Sequence, residues 1–455
     1  MVIINPATEE LIAEYKDDTQ ASLSSKYQQL KAASVVWSQT SLPDRINIIR
    51  VFAQLLSDNK ERLALLLTNE MGKPVQQSRN EIGGAIARIQ WLVDNAEKYL
   101  STEQMRMLDN MEELISYEPL GVICNISAWN YPYLVGVNVF VPALLAGNTV
   151  LYKPSEFVTG TGLQIEKLLK QAGVPEDVFQ TGIGFGEVGK QLLDIDFDGY
   201  FFTGSYKTGK YIYEHVAHKM VPCQLELGGK DAVYVTNDIK DVQSVAESLA
   251  DGAFYNNGQS CCSVERIYVH AAIYEDFVKY FTNQVKAWKI GFPTEQDIYF
   301  GPLTRNQQRD VLDKQINDAV QSGAEIVTGG KRINGKGYYY EPTVLVNVTN
   351  NMSVMQEESF GPVIGIMQVD NDVQAAQLMQ DSEYGLTSGV YSDSKERAIT
   401  VLNQINTGTA YWNCCDRVSP AVPWSGRKHS GIGLTLSHQG LRAFTKAKSW
   451  HLKTV

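Results

Sequence analysis

Two cysteines stand side by side on a run of small polar residues, Asn256-Asn257-Gly258-Gln259-Ser260-Cys261-Cys262-Ser263. A thiol flanked this way on a glycine-containing loop can serve as a nucleophile if its thiolate is stabilised. No nearby residue supplies a histidine base, and two inert thiols at a buried turn satisfy the same pattern. Upstream, Glu226 interrupts the apolar run in Leu225-Glu226-Leu227-Gly228-Gly229-Lys230. A lone carboxylate in such a strand is costly to bury, so it needs a partner or a role. Lys230 would be the partner. The role would be that of a general base, since burial raises a carboxyl pKa toward neutrality.

Two glycine-rich segments could meet a phosphate. In Phe202-Thr203-Gly204-Ser205 an apolar strand runs into a helix expected from Tyr206. Glycine lets the backbone approach a ligand, and free N–H groups at a helix start bind anions. Ser205 also reads as an ordinary helix N-cap. The second segment, Gly184-Phe185-Gly186-Glu187-Val188-Gly189, formally matches G-x-G-x-x-G. It lies deep in the chain and not at a first strand–helix turn, so a plain turn or a cofactor-lining loop is expected there.

These residues need elements to position them. Apolar residues recur at helical spacing through 42–71 (Ile46, Ile49, Phe52, Leu56, Leu63, Leu67), and Gly72 and Pro74 supply a stop. A second helical stretch is expected over 81–100. The pattern then alternates, with strands at 122–126, 149–152, 200–202, 224–227 and 232–235 and helices at 134–146 and 161–172. Past Cys261 come a strand at 266–270, a helix at 274–288 and a strand at 325–328. Such alternation predicts an α/β fold of parallel sheets covered by helices. Two α/β domains are expected to meet near 225–265. Residues 101–118 lack a helical period and read as a hairpin.

Taken in order, Ala128-Trp129-Asn130-Tyr131-Pro132, Lys153-Pro154-Ser155-Glu156, Phe202-Thr203-Gly204-Ser205, Leu225-Glu226-Leu227-Gly228-Gly229-Lys230, Gly258-Gln259-Ser260-Cys261 and Glu358-Ser359-Phe360-Gly361-Pro362 resemble the successive signatures of the aldehyde dehydrogenase superfamily. The resemblance spans nearly the whole chain. It implies a Rossmann-like cofactor-binding domain from 1–100 and 119–226, a catalytic domain from 227–418, and a small β oligomerisation arm from 101–118 and 436–455. It also implies a homodimer or homotetramer. Cys261 would attack the aldehyde as a thiolate, and Asn130 with the Cys261 N–H would hold the oxyanion. Glu226 would activate the water that cleaves the thioester. Trp129, Lys153, Glu156, Gly204, Ser205, Glu358 and Phe360 match cofactor contacts, with Glu156 favouring NAD over NADP. In this family the pyrophosphate lies at the Gly204–Ser205 turn, which demotes the G-x-G-x-x-G.

Departures bear on the substrate. Ala128 replaces the proline usual before Trp-Asn, and the 423–431 segment matches the family's pattern only in part. Members acting on succinic semialdehyde carry two arginines whose positions hold Asn138 and Tyr255 here. That substrate is therefore disfavoured, and Tyr133, Tyr255 and Trp412 point to an apolar, aromatic or cationic tail. The alternatives are succinate-semialdehyde oxidation or a catalytically silent member of the fold. All three catalytic groups are present, which disfavours the silent reading, and Glu226 disfavours release to coenzyme A.

Composition sets outer limits. With 40 basic against 51 acidic residues, a formal charge of −11 and no long Lys/Arg run, a nucleic-acid or anionic-membrane partner is not expected. The six cysteines form no C-x-x-C, so neither a disulfide framework nor a zinc site is indicated, and reduced thiols in a cytoplasm are expected. The amino-terminal residues are not expected to act as a signal peptide, having no basic stretch followed by a long apolar one. Residues 119–152 contain no Asp, Glu, Lys or Arg, but their asparagines and prolines point to buried interior and not to a bilayer span.

Overall fold

The computed structural model describes residues 1–454 of the 455-residue chain. An antiparallel pair, β1 (Val2–Ile4) and β2 (Leu11–Glu14), leads into four helices: α1 (Gln20–Gln39), α2 (Leu42–Asp58), α3 (Lys60–Met71) and α4 (Val75–Leu100). The stretch expected to be helical throughout 42–71 is two helices. Asn59 leaves the helical region and closes α2, donating both its backbone N–H and its side-chain amide to the Leu55 carbonyl. The second expected helix starts earlier than its apolar period, directly after Pro74. Helix α1 was not anticipated, because its buried Leu23, Tyr27, Leu30 and Trp37 are diluted by polar and small residues.

The first large sheet takes its strands from β5 (Val122–Ile126), β6 (Thr149–Lys153), β7 (Phe179–Thr181), β8 (Gly199–Thr203) and β9 (Cys223–Glu226), after the hairpin β3 (Glu103–Leu108) and β4 (Met111–Pro119). Helices α5 (Pro132–Leu145), α6 (Thr159–Ala172), α7 (Gly186–Leu193) and α8 (Tyr206–Val216) make the crossovers. These five strands are parallel, in the order β9-β8-β5-β6-β7. The chain moves outward from β5 in one direction and then returns to build β8 and β9 on its other side. Ligands of open α/β sheets bind at such a reversal, outside the carboxyl ends of the strands. Not all of the sheet is parallel: Gly431–Ile432 adds an antiparallel edge against β9.

The second sheet has seven strands, with β10 (Asp231–Val235) and β11 (Val264–His270) at its centre and α9 (Val242–Phe254) between them in sequence. Strands Thr343–Val346, Val363–Val369, Thr387–Tyr391 and Thr409–Trp412 join in parallel. The edge strand Glu325–Thr328 is antiparallel, which the alternation pattern could not reveal. The 101–118 segment is a hairpin, and Thr445–Lys453 pairs along the full length of β4.

No helix of the described residues is long and apolar enough to cross a membrane. The uncharged stretch 119–152 is instead β5, α5 and β6, buried at the centre of the largest apolar cluster. Its Asn148 ties the core to the tail: the side chain donates to Ala143 and Phe444 carbonyls and accepts the Gly121 N–H.

Candidate functional site

The carboxyl ends of the first sheet's strands face the amino ends of strands in the second. The turn after β5 carries Trp129 and Asn130; β6 ends in Lys153, β8 leads to Gly204 and Ser205, and β9 ends in Glu226. From the other side come the 255–263 loop before β11 and the 358–361 loop before Val363–Val369. Asn130 Nδ2 donates to the Gln259 carbonyl at 3.1 Å, two residues before Cys261. The Glu358 carboxylate accepts the Gly229 N–H at 3.0 Å, and the Gly204 N–H donates to the Glu226 carbonyl at 3.0 Å. Trp129 and Phe360 meet edge to face at 5.4 Å. The Ser127 N–H donates to the Lys153 carbonyl, joining the ends of β5 and β6. These contacts bring together the Asn130 turn and the cysteine loop, Glu226 and the Gly204 turn, and Trp129 and the 358–361 loop. The Gly184–Gly189 segment lies beside Lys153 as a turn and short helix. Ser205 is the N-cap of α8, its Oγ accepting the Thr208 N–H.

The cysteine loop is shaped by close approaches. Asn256 and Asn257 both adopt left-handed φ of 55°, tolerable for asparagine. Gly258 follows at φ +68°, and a Cβ there would stand 2.4 Å from the Gly361 carbonyl oxygen. A Cβ on Gly229 would stand 2.5 Å from the carbonyl oxygen of Cys261. Only glycine permits both approaches. Gln259 is pinned by the Thr304 N–H donating to its side-chain oxygen, and Asn256 by donating its N–H to Gln77. Cys261 is partly exposed whereas Cys262 is buried. The Cys262 thiol donates to Asp416 Oδ1 at 3.0 Å; its contact with the Cys261 thiol, and then burial, push it well above the usual thiol range.

Glu226 is buried at the end of β9, and neither carboxylate oxygen has a hydrogen-bond partner. Burial holds its carboxyl well above the ordinary range; Thr435 and Gln224 come near enough to oppose that shift without reaching hydrogen-bond geometry. The ion pair with Lys230 does not form. Lys230 pairs instead with Glu265 and donates to Ser359 Oγ. Glu265 then accepts the N–H groups of Ser359 and Phe360, at 2.8 and 3.1 Å, which holds Phe360 at its strained φ of 46°.

A second buried ion pair, Lys73–Glu81, holds the Asn130 turn. Lys73 donates to the Asn130 carbonyl at 2.8 Å and lies 3.8 Å above the Tyr131 ring, while Glu81 accepts the Tyr133 N–H in the first turn of α5. Burial lowers the Lys73 pKa and raises that of Glu81, and their mutual attraction opposes both shifts. Sequence reading missed Lys73, Gln77, Glu81 and Glu265. A signal existed for two of them: Gln77 and Glu81 fall on the same helical face as Ile82, Ala85 and Ile89, where polar residues are out of place.

Two side chains near the strand ends retain unused hydrogen-bonding capacity. Lys153 is buried without a carboxylate in ion-pair contact, burial lowers its pKa, and its one hydrogen bond is to the Pro154 carbonyl at 3.3 Å. Glu358 is raised to about 8 by burial and by the neighbouring Glu265 charge. Free donors and acceptors of this kind suit ribose hydroxyls. Two of the aromatic residues expected to line a substrate tail do not do so. Tyr133 is sealed in the core, and Trp412 lies partly exposed, donating to the Ser392 carbonyl beneath Lys395.

Comparison with known proteins gives a consistent picture. A family model described as the aldehyde dehydrogenase family matches residues 1–450. The chain is 32% identical to peroxisomal aminoaldehyde dehydrogenase 1 of Pisum sativum, over 98% of its own length and 91% of that protein's. It is 30% identical to an NADP(+) succinate-semialdehyde dehydrogenase of Deinococcus radiodurans, over 98% and 93%. Its fold superimposes on an NAD-dependent aldehyde dehydrogenase from Sinorhizobium meliloti with a TM-score of 0.96, at 29% identity, covering 100% and 91% of the two chains.

Removing one partner of a buried pair strands the other charge, so Lys73→Met should cost about 3–5 kcal/mol of stability. Urea unfolding would read this as a lowered midpoint. Lys73→Met/Glu81→Leu should recover much of that loss but not the activity, because the Asn130 carbonyl and Tyr133 N–H lose their partners. A single variant as stable as the parent would refute the role given to the pair.

Proposed function

The chain belongs to the aldehyde dehydrogenase family, and on that premise we propose that it oxidises an aldehyde to a carboxylic acid with NAD, through a covalent intermediate on Cys261. The observation that carries this reading is Glu226: a buried carboxylate at the end of β9 whose oxygens accept no hydrogen bond from the described residues. A structural carboxylate would need a partner there.

The Cys261 thiolate attacks the aldehyde carbon, and the carbonyl oxygen becomes a thiohemiacetal oxyanion. Donors must stand where that charge develops. The Cys261 N–H makes no hydrogen bond among the described residues, and Asn130 has a second amide N–H beyond the one given to Gln259. Oxidation at the thiohemiacetal carbon needs a hydride acceptor, which is the chemistry a bound NAD would supply. Glu226 then takes a proton from the water that cleaves the Cys261 thioester. Its raised pKa makes it a stronger base than a surface carboxylate, once ionised.

Lys153 and Glu156, at the end of β6 and the turn after it, are assigned to the adenosine ribose, and Gly204 and Ser205 to the pyrophosphate. Trp129, Glu358 and Phe360 are assigned to the nicotinamide end. The Glu156 carboxylate would accept a hydrogen bond from a ribose 2′-hydroxyl and repel a 2′-phosphate, by about 4 kcal/mol at ~4 Å and an effective dielectric of 20 before screening. We assign the exposed sheet of β3, β4 and Thr445–Lys453 to contact with further copies of the chain, as dimer or tetramer, and the free thiols to a reducing compartment such as the cytoplasm.

Four outcomes test this reading. Cys261→Ala should abolish turnover while Cys262→Ser keeps most of it, measured as reduced-cofactor absorbance; full activity in the Cys261 variant would end the mechanism. Glu226→Gln should give a burst of about one reduced cofactor per site and then near-arrest, the mark of an accumulating acyl-enzyme. In the parent, deacylation should quicken as pH rises, because a base with a raised pKa is increasingly ionised at higher pH; a pH-independent step would point to another base. For the cofactor, kcat/KM should favour NAD over NADP, and Glu156→Ser should narrow that gap. A parent enzyme preferring NADP would overturn the Glu156 assignment and leave the thiol chemistry standing.

A further inference from the structure

Arg88 lies on the buried face of α4 with 8% of its surface exposed. Only Nη1 is engaged, donating to Asn138 Oδ1 at 2.9 Å and to the Leu134 carbonyl at 3.3 Å. Nε and Nη2 have no partner among the described residues, and no carboxylate pairs with the guanidinium. The nearest buried acid, Glu81, is committed to Lys73 and to the Tyr133 N–H. Two cations and one anion therefore share this interior. Burial lowers the Arg88 pKa to about 10, with Cys262, Glu81 and Cys261 acting in the opposite sense. Even so lowered, the guanidinium is charged at neutral pH, and a buried charge without a counter-charge is expensive.

We propose that Arg88, with the Asn138 amide beside it, binds a carboxylate at the far end of the substrate, so that the preferred aldehyde is a short semialdehyde carrying an anionic tail. This rests on Cys261 being the nucleophile. Asn138 and Tyr255 carry no positive charge, which argued against such a substrate; the structure brings a guanidinium to Asn138 from the neighbouring helix. A carboxylate takes paired N–H donors along one edge of a guanidinium, and Nε with Nη2 present such a pair. An apolar or cationic tail would leave the charge unmatched.

The test compares kcat/KM for succinic semialdehyde, butanal and 4-aminobutanal. The parent should favour the semialdehyde over butanal by at least about tenfold, with 4-aminobutanal poorest, and tenfold corresponds to 1.4 kcal/mol. Arg88→Gln should reduce the semialdehyde-to-butanal ratio at least tenfold, and Arg88→Lys by less. Asn138→Asp gives Arg88 an internal counter-charge, so it should fold and lose the same preference, which keeps the question decidable if Arg88→Gln does not fold. Succinate should raise the Tm of the parent, and butyramide should not. A parent that oxidises butanal as well as the semialdehyde, or an Arg88→Gln or Asn138→Asp enzyme that keeps the preference, would overturn the proposal. If no aldehyde is oxidised, the catalytic reading fails by itself; the succinate shift, present in the parent and absent from Asn138→Asp, still decides the anion site.

Discussion

A charge taken out of water must find its complement, and in this molecule that requirement organises the site. Lys73 and Glu81 are both fully buried, and each spends its remaining hydrogen-bond capacity on the backbone around Asn130. Lys230 and Glu265 do the same for the loop that carries Glu358 and Phe360. Neither pair is placed to react with anything. Each converts the cost of burying ions into a fixed position for a loop, which is how a residue at a strained φ such as Phe360 keeps its conformation.

The topology explains why loops need such restraint here. The reversal of strand order at β5 opens the first sheet at its carboxyl edge, and the second sheet presents amino ends to the same crevice. A site built between two sheet edges consists of turns, and turns have few backbone hydrogen bonds of their own. Close packing supplies part of the missing definition: the approaches of Gly229 to Cys261 and of Gly258 to Gly361 leave no room for a side chain. The buried ion pairs supply the rest.

Against that background the uncompensated groups stand out. Glu226 is buried without a donor, Arg88 without a carboxylate, and Lys153 without an acid. A protein that satisfies Lys73, Glu81, Lys230 and Glu265 so fully has no folding reason to leave these three open. Each is left open to a hydrogen-bonding group that the protein itself does not supply.

The α/β class and the family were legible in the chain without coordinates. Both rest on local properties: the period of apolar residues, the turn-forming glycines, and the order of short motifs along the chain. Where local period was weak it misled, merging α2 with α3 across Asn59 and hiding α1 behind its small and polar residues. Tertiary structure alone decided which buried charges meet. Lys230 lies four residues from Glu226 in sequence yet pairs with Glu265, and Arg88 of α4 meets Asn138 of α5, fifty residues on. Tyr133 and Trp412, aromatic and plausible at a substrate tail, went to the core and the surface. The physical reason is one of range: hydrophobic period and turn chemistry act between near neighbours, whereas the partner of a buried ion is chosen by whichever segments the completed fold brings within hydrogen-bond distance.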